Sequence, residues 1–426
     1  MKKLVIDNIG PIKHVELNMK RVNVIIGPQS AGKSCILKIA CFCAWAEKRI
    51  QLEQGKNGFA DDNYVVENLI EFHKMEGFFE PGRGAHIRYE SSQLWFEYDY
   101  DARSFEWDWK RSGHWKYKRS RVSYIPAERN VIATIPNWME VSMPFDYVRN
   151  FISDWSLTRQ LYGENNELSV LGLGVKYLYD KQSGKDFLIL PDGRKLPFTN
   201  GSSGLQSVVP MMAYLKFLFV HQYNGEQFGK LSVESEKEEI LNHIYDKKFS
   251  KGMKTFVQDN KPYIGKIGVG KRMFKSEKDY QICKDLFDSY TQTFSSDIYL
   301  EEPEQNLFPE TQLQLVYDIL RDADRHMDRL FIATHSPFIL FAINNCLMGG
   351  LVGKNVPEDI QDELHSAHSW IIPSEVAIWS IEDGVIKSLQ DEDGLLGENF
   401  INMAYRNVSN EFITLLNYYN YAQKDS

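Results

Sequence analysis

Little in these 426 residues would cross-link the chain or cage a metal. Cysteine occurs five times, at Cys35, Cys41, Cys43, Cys283 and Cys346, with no C-x-x-C pair. An odd, scattered set excludes a disulfide frame and a zinc cluster, and it fits a reducing compartment. Long apolar runs are scarce as well: no stretch is expected to approach the ~18 residues of a membrane span. The first residues enter a strand pattern at once, so no leader is expected, and the expected location is cytoplasmic. Positive charge is also in deficit. A formal net charge of -9 argues against a surface coated uniformly for nucleic acid, while leaving room for local basic patches. Apolar content of 43% and charged content of 25% are ordinary for a folded protein, so disorder is not expected.

What is present starts with Gly27-Pro28-Gln29-Ser30-Ala31-Gly32-Lys33-Ser34. The octet fits G-x-x-x-x-G-K-[ST], the phosphate-binding P-loop. Residues 22–26 read as a strand before it and Cys35 opens a helical run after it, the context the motif requires. The glycines let backbone N–H groups turn toward phosphate oxygens, and the helix N-terminus adds partial positive charge. Gly27 through Cys35 are therefore candidate nucleotide contacts. Lys33 would reach the β- and γ-phosphates, and the Ser34 hydroxyl would ligate Mg²⁺.

Two further stretches suit the same chemistry. Asp297-Ile298-Tyr299-Leu300-Glu301-Glu302-Pro303-Glu304 reads as a strand that ends on consecutive carboxylates. One can support Mg²⁺ while its neighbour orients an attacking water. Residues 330–334 read as another strand, ending in His335-Ser336-Pro337, from which a histidine can reach a γ-phosphate. A crossover helix over 310–325 joins the two strands, as parallel topology expects.

The rest of the chain is expected to be built around this frame. Strands are predicted at 3–6 and 12–17, helix over 35–75 with a break near 55–58, and antiparallel strands over 84–125. Bases and aromatics interleave at 103–121, which suits either a nucleic-acid platform or ordinary cross-strand pairing. Helix is predicted over 135–165 and a hairpin over 173–198. A loop at 200–206 then feeds a helix from Ser207. Residues 247–275 carry eight Lys and one Arg against a single acid, Asp259, and read as a solvated loop or, alternatively, as a contact for an anionic partner. A hairpin at 376–386 and a closing helix near 397–420 end the chain. The expected division is 1–222 and 297–426 for the two parts of one ATPase unit, with 223–296 as an insertion.

Taken in order, four motifs resemble those of an ABC-type ATPase head. They are the P-loop, Ser202-Ser203-Gly204-Leu205-Gln206, Leu300-Glu301-Glu302-Pro303-Glu304, and Ala333-Thr334-His335-Ser336-Pro337. The match is to the branch shared by SMC-like proteins and OLD-type ATPases, and it spans nearly all of the chain outside 223–296. The resemblance implies an α/β fold: a P-loop NTPase head of ABC type with an antiparallel β lobe and a helical lobe. It implies ATP and Mg²⁺ as cofactors, with two heads clasping the nucleotide in a homodimer or higher homo-oligomer. Ser203, Gly204 and Gln206 would then contact the γ-phosphate bound to the opposite subunit. Glu302 would position the hydrolytic water, Glu301 would support Mg²⁺, and His335 would sense the γ-phosphate. Glu128, within Tyr124-Ile125-Pro126-Ala127-Glu128-Arg129-Asn130, would lie nearest the metal, and residues 304–306 would cross the dimer seam.

Two departures are familiar in the OLD-type branch: Leu205 replaces a glycine usual in transporter signatures, and Glu301 replaces the usual aspartate. No long heptad stretch is present, so no SMC rod is expected. Too little chain follows for the nuclease domain of OLD nucleases, and Asp391-Glu392-Asp393-Gly394 reads as a hairpin loop. ATPases similar to this one serve anti-phage pairs such as PARIS and Septu. The resemblance therefore implies a sensor triggered by a phage protein, controlling a separately encoded effector nuclease, with no membrane partner. The alternative it implies is an SMC-like ATPase that binds DNA during repair or end processing.

Overall fold

A computed structural model describes residues 2–55, 57–61, 63–111, 113–135, 141–224, 230–397 and 400–422. It opens on β1 (Lys2–Ile9), β2 (Ile12–Met19) and β3 (Val22–Ile26). Alternation in β2 buries Ile12, Val15, Leu17 and Met19, whereas β3 is buried at every position, as a strand covered on both faces must be. Helix α1 (Lys33–Glu53) follows, then β4 (His86–Glu90), β5 (Leu94–Asp99), β6 (Ser104–Trp109) and β7 (Ser120–Ile125). A lobe comes next, made of α2 (Val131–Thr134), α3 (Tyr147–Thr158), β8 (Leu168–Ser169), β9 (Lys176–Asp180), β10 (Lys185–Ile189), β11 (Lys195–Pro197) and α4 (Ser203–Phe219). Beyond it lie α5 (Lys230–Lys248), α6 (Met253–Asp259), β12 (Tyr263–Ile267), β13 (Gly270–Phe274) and α7 (Glu277–Thr291). The chain then returns through β14 (Ser295–Glu301), α8 (Pro309–Ala323), β15 (Arg329–Thr334), α9 (Pro337–Val352) and α10 (Glu358–Gln361). It ends on β16 (Val376–Glu382), β17 (Val385–Ser388) and α11 (Phe400–Ala422).

Eleven strands form one sheet in the order β6-β5-β4-β1-β2-β17-β16-β3-β15-β14-β7. The half from β6 to β2 is antiparallel, and β16, β3, β15, β14 and β7 run parallel. The carboxyl ends of β3, β15, β14 and β7 therefore share one edge, where parallel sheets place their ligands. This is an α/β fold of the expected kind, with its antiparallel lobe continuous with the parallel core. Hairpin β16–β17 turns at Asp383-Gly384, both with positive φ, as a two-residue hairpin turn of this twist requires. The Gly384 carbonyl accepts from Lys13 N at 2.9 Å, which pins the turn to β2.

The fold departs from the sequence expectations at several places. Strand β7 does not extend the antiparallel meander; it pairs parallel with β14, Ser123 opposite Ile298. In the 135–165 stretch the helix is confined to 147–158, extended by a short turn at 159–161, and residues 136–140 lie outside the described residues. The 173–198 hairpin is three strands with two turns, part of a four-stranded sheet β11-β10-β9-β8. The basic stretch 247–275 is not a loop. It holds hairpin β12–β13, and Ile267 and Phe274 are buried with Ile240, Leu241 and Cys283 in a second small core. One described helix, Pro337–Asn355, does have the length and composition to cross a membrane, contrary to expectation, with 44% of it buried. Its inner side places Ile339, Ile343, Cys346 and Leu347 in the core, so it is two-faced.

At the opposite end of β14 from the shared edge, Asp297 is buried among cations. It accepts from Ser120 Oγ at 2.8 Å and from the Arg329 guanidinium, and Lys2 Nζ lies 3.6 Å away. Burial pushes its carboxyl pKa up, but the Arg329 and Lys2 charges outweigh that and hold it well below the usual carboxylate range. A carboxyl depressed in this way stabilises the fold above the unfolded pKa of about 3.9 and loses that effect as pH falls through the folded value. Asp297→Asn should cost on the order of 2–3 kcal/mol in urea at pH 7. That is less than the ~3–5 kcal/mol of a fully buried pair, because the Arg329 side chain stays 38% exposed. The gap between wild type and variant should narrow below pH ~4.

Candidate functional site

The P-loop is shaped by what lies under it. A Cβ on Gly27 would stand 2.5 Å from the Ile381 carbonyl of hairpin β16–β17, so only glycine fits. Gly32 has φ +108°, a left-handed conformation at the N-cap of α1 that glycine adopts without a steric penalty. Between them Pro28, Gln29 and Ser30 are exposed and Ala31 is half-buried. Lys33 is buried, and its Nζ donates to the carbonyls of Gly27 at 2.8 Å and Pro28 at 2.6 Å. Burial lowers its pKa to about 8, against the opposing pull of Glu302 and Glu304. Those two carboxylates are thus within electrostatic reach of the P-loop lysine. Ser34 is exposed on the first turn of α1. Cys35 faces the core and burial pushes its thiol up to about 12, so only its backbone can meet a phosphate.

The second wall is the end of β14. Glu301 is buried, and its Oε2 accepts from Ala127 N at 3.4 Å. At Glu302 the backbone turns left-handed, φ 41°, a conformation that strains a long side chain and is kept where the surroundings enforce it. Two bonds enforce it here: Glu302 N donates to the Ala333 carbonyl at 2.8 Å, and the Glu302 carbonyl accepts from Arg129 at 2.6 Å. The Glu302 carboxylate then lies 3.2 Å from His335 Nε2 at the end of β15. Glu304, expected at a dimer seam, turns inward instead. Its Oε1 accepts from Thr334 Oγ1 at 2.8 Å and His335 N at 2.7 Å, locking the 302–306 loop to the histidine strand.

Arg129 was not singled out by sequence, and it is central to this wall. The side chain is fully buried. It donates to the carbonyls of Pro126 at 3.0 Å, Glu301 at 2.8 Å, Glu302 at 2.6 Å and Ser207 at 3.2 Å. Burial lowers its pKa to about 10, opposed by the fields of Glu304, Glu302, Glu301 and Glu128. One guanidinium therefore ties β7, β14 and α4 together. The only sequence signal was an arginine three residues after a proline at a strand end. Glu128 is exposed, and its Oε1 accepts from Tyr147 OH at 3.0 Å.

The Ser203 region sits against the same loop. Helix α4 begins at Ser203, four residues earlier than expected, with Ser202 Oγ accepting from Leu205 N as its cap. A Cβ on Gly204 would stand 2.7 Å from the Asn306 carbonyl, so the glycine permits this contact. Ser203 is exposed, while the Gln206 side chain donates back to Thr199 O at 2.8 Å. Among the described residues no hydrogen bond joins 202–206 to the P-loop of the same chain. The structure thus brings Lys33, Glu301, Glu302 and His335 to one edge, and it leaves Ser203 outside that group.

No protein-family model matches the chain, and no curated protein matches it either. Among solved structures, it is similar to an SMC head domain from Thermotoga maritima, with 10% identity, 92% of this chain and 98% of that one covered, and a TM-score of 0.37. It is also similar to the recombination mediator RecF, with 10% identity over 91% and 97% of the two chains and a TM-score of 0.30. A dimeric ATP-binding cassette bound to ADP and Pi gives 10% identity, 91% and 99% coverage, and a TM-score of 0.26.

Arg129→Lys keeps the charge but lacks the fork that serves several carbonyls at once. It should cost about 2–4 kcal/mol, as buried carbonyls lose bonds to a charged donor. Urea unfolding would measure the loss, and an unchanged midpoint would show that the wall holds without the guanidinium.

Proposed function

We propose that this chain binds ATP with Mg²⁺ and hydrolyses it. The observation that carries the reading is the convergence of Lys33, Glu302 and His335 at the carboxyl ends of three adjacent parallel strands. Backbone N–H groups of the 27–35 loop and Lys33 hold the phosphates. Glu302 accepts a proton from the attacking water while its carboxylate is held by His335, and the bond from Pγ to the ADP oxygen breaks. Among the described residues no group of three His, Cys, Asp or Glu is placed to hold a metal by itself, so the substrate's phosphates would complete the ion's shell. Mg²⁺ typically takes one or two carboxylates, a hydroxyl and the substrate's own phosphates. Ser34 and Glu301 would hold it, with Glu128 beside them, and the ion would neutralise charge on the β- and γ-oxygens.

The enclosing groups for the γ-phosphate come from a second copy in this reading. Ser203 is exposed at a capped helix N-terminus, and such a terminus favours anions. Residues 302–306 connect it to the carboxylate wall. Gln206 joins the site only after leaving Thr199. The finer role, a sensor that governs a separately encoded effector nuclease when it meets a phage protein, is supported by motif resemblance. The alternative, an SMC-like ATPase acting on DNA, has the same support. Co-purification with a nuclease favours the first, and ATP-dependent DNA binding by the isolated chain favours the second.

Lys33→Ala should lose nucleotide binding, because neutral amides alone would then face multiply charged phosphates. Glu302→Gln should bind ATP normally and turn over at least ~100-fold more slowly, the usual scale for a lost general base. Calorimetry and phosphate release separate the two effects, and wild-type turnover in Glu302→Gln would reassign the carboxylate to Glu301.

A shared site also predicts complementation. Lys33→Ala and Ser203→Arg, each inactive alone, should recover part of the activity when mixed, since one of the two sites is then intact. ATPase activity independent of protein concentration down to a demonstrated monomer would place the whole site in one chain.

A further inference from the structure

A cavity of about 450 Å³ opens at the end of the sheet away from the P-loop. Ser120 and Ser295, the first residues of β7 and β14, line it. Glu301 closes the other end of β14, about 20 Å from Ser295 at ~3.3 Å per residue. The cavity is therefore separate from the candidate nucleotide edge, and its volume suits a small molecule.

Its floor is balanced in charge. Lys2 Nζ lies 3.2 Å from Glu47 and 3.6 Å from Asp297, and the Arg329 guanidinium donates to Asp297. Two cations thus meet two carboxylates, and Glu47 also accepts from Tyr89 OH at 2.7 Å. The mouth is not balanced. Lys116 and Lys118 line it, both exposed, and among the described residues neither has a carboxylate within ion-pair distance. Two positive charges are left over in a chain whose net charge is -9. Ser92 and Ser295 line the same cavity, and among the described residues no hydrogen bond engages their hydroxyls. Planar groups stand beside these donors. Phe294 is 39% exposed, with Lys118 Nζ 5.5 Å from its ring centroid, and His326 is stacked on Tyr223.

A phosphate monoester carries a charge of about -1.5 to -2 at neutral pH, which matches the two unopposed lysines. Lysine meets phosphate as a point charge, and free hydroxyls donate to the remaining oxygens. An exposed aromatic ring beside a phosphate site favours a stacked base on the same ligand. We propose that this cavity binds a nucleoside monophosphate. A triphosphate fits less well, because it brings more negative charge than the two lysines offset, close to Glu47.

The inference does not rest on ATP hydrolysis at the other edge. Its test uses the full-length chain carrying Lys33→Ala, which removes the P-loop lysine, and the cavity variants assign the binding whether or not Lys33 matters. Adenosine monophosphate titrated by calorimetry should bind with one equivalent per chain. Adding Lys116→Glu or Lys118→Glu should weaken it about tenfold or more, the scale of one lost charge-assisted hydrogen bond. Phe294→Ala should weaken it at least ~5-fold through lost stacking. Lys251→Glu makes the same charge change at an exposed lysine outside the cavity and should leave the affinity unchanged. Melting temperatures of all four variants should stay at that of the parent, since these side chains are exposed. Four results would overturn the proposal: no binding of adenosine monophosphate; equal weakening by Lys251→Glu, which shows a diffuse charge effect; inorganic phosphate binding as tightly, which shows no place for a base; and a single-stranded oligonucleotide binding far more tightly through the same lysines, which shows a nucleic-acid contact.

Discussion

One buried cation organises the edge that carries the candidate site. A guanidinium removed from water is costly unless nearly all of its donors are met, and Arg129 meets this condition with four main-chain carbonyls from three segments. Because these acceptors are backbone, the arginine constrains geometry more than side-chain identity. It holds the carbonyls at the end of β14, and so it sets where the Glu301 and Glu302 side chains leave the strand. Its bond to Ser207 reaches the helix that begins at Ser203. The wall that would orient water and the terminus that would face a partner's phosphate are thereby parts of one rigid assembly.

Polarity along β14 divides the labour of the sheet. At one end Asp297 is neutralised by Arg329 and Lys2 in a stabilising cluster. At the other, the Glu301, Glu302 and Glu304 carboxylates gather beside Lys33 and the buried Arg129. A concentration of negative charge beside a phosphate cradle is unfavourable for a bare nucleotide and favourable once a divalent ion lies between them. The charge arrangement and the proposed Mg²⁺ requirement therefore have one cause.

The same edge leads directly into neighbouring elements. His335 is followed at once by Ser336, which caps α9. In the opposite direction, the 302–306 loop touches Gly204 at the exposed start of α4. The candidate site and the exposed start of α4 are thus joined by a short, hydrogen-bonded stretch of chain.

The positions of the candidate residues at strand ends were legible in the sequence because they depend on neighbours in the chain. Gly27 to Ser34 with its flanking strand and helix, the paired Glu301 and Glu302, and His335 each stand at the end of a buried strand, and a strand end can be read from a run of apolar residues. Only the tertiary structure decided what depends on distant partners. Arg129 became important because carbonyls 78 and 172 residues away meet it, and Gly27 had to be glycine because hairpin β16–β17 passes beneath it. Strand β7 kept its β pattern but changed partners, since pairing direction is set by the crossover topology and not by side-chain alternation. The basic stretch 247–275 reads as solvated from charge alone, yet alternate residues of a hairpin can be lysine outside and Ile267 or Phe274 inside. The closing helix near 397–420 was legible from its pattern, whereas the helix 337–352 was not predicted. Whether a face of either helix is covered is a property of what packs there.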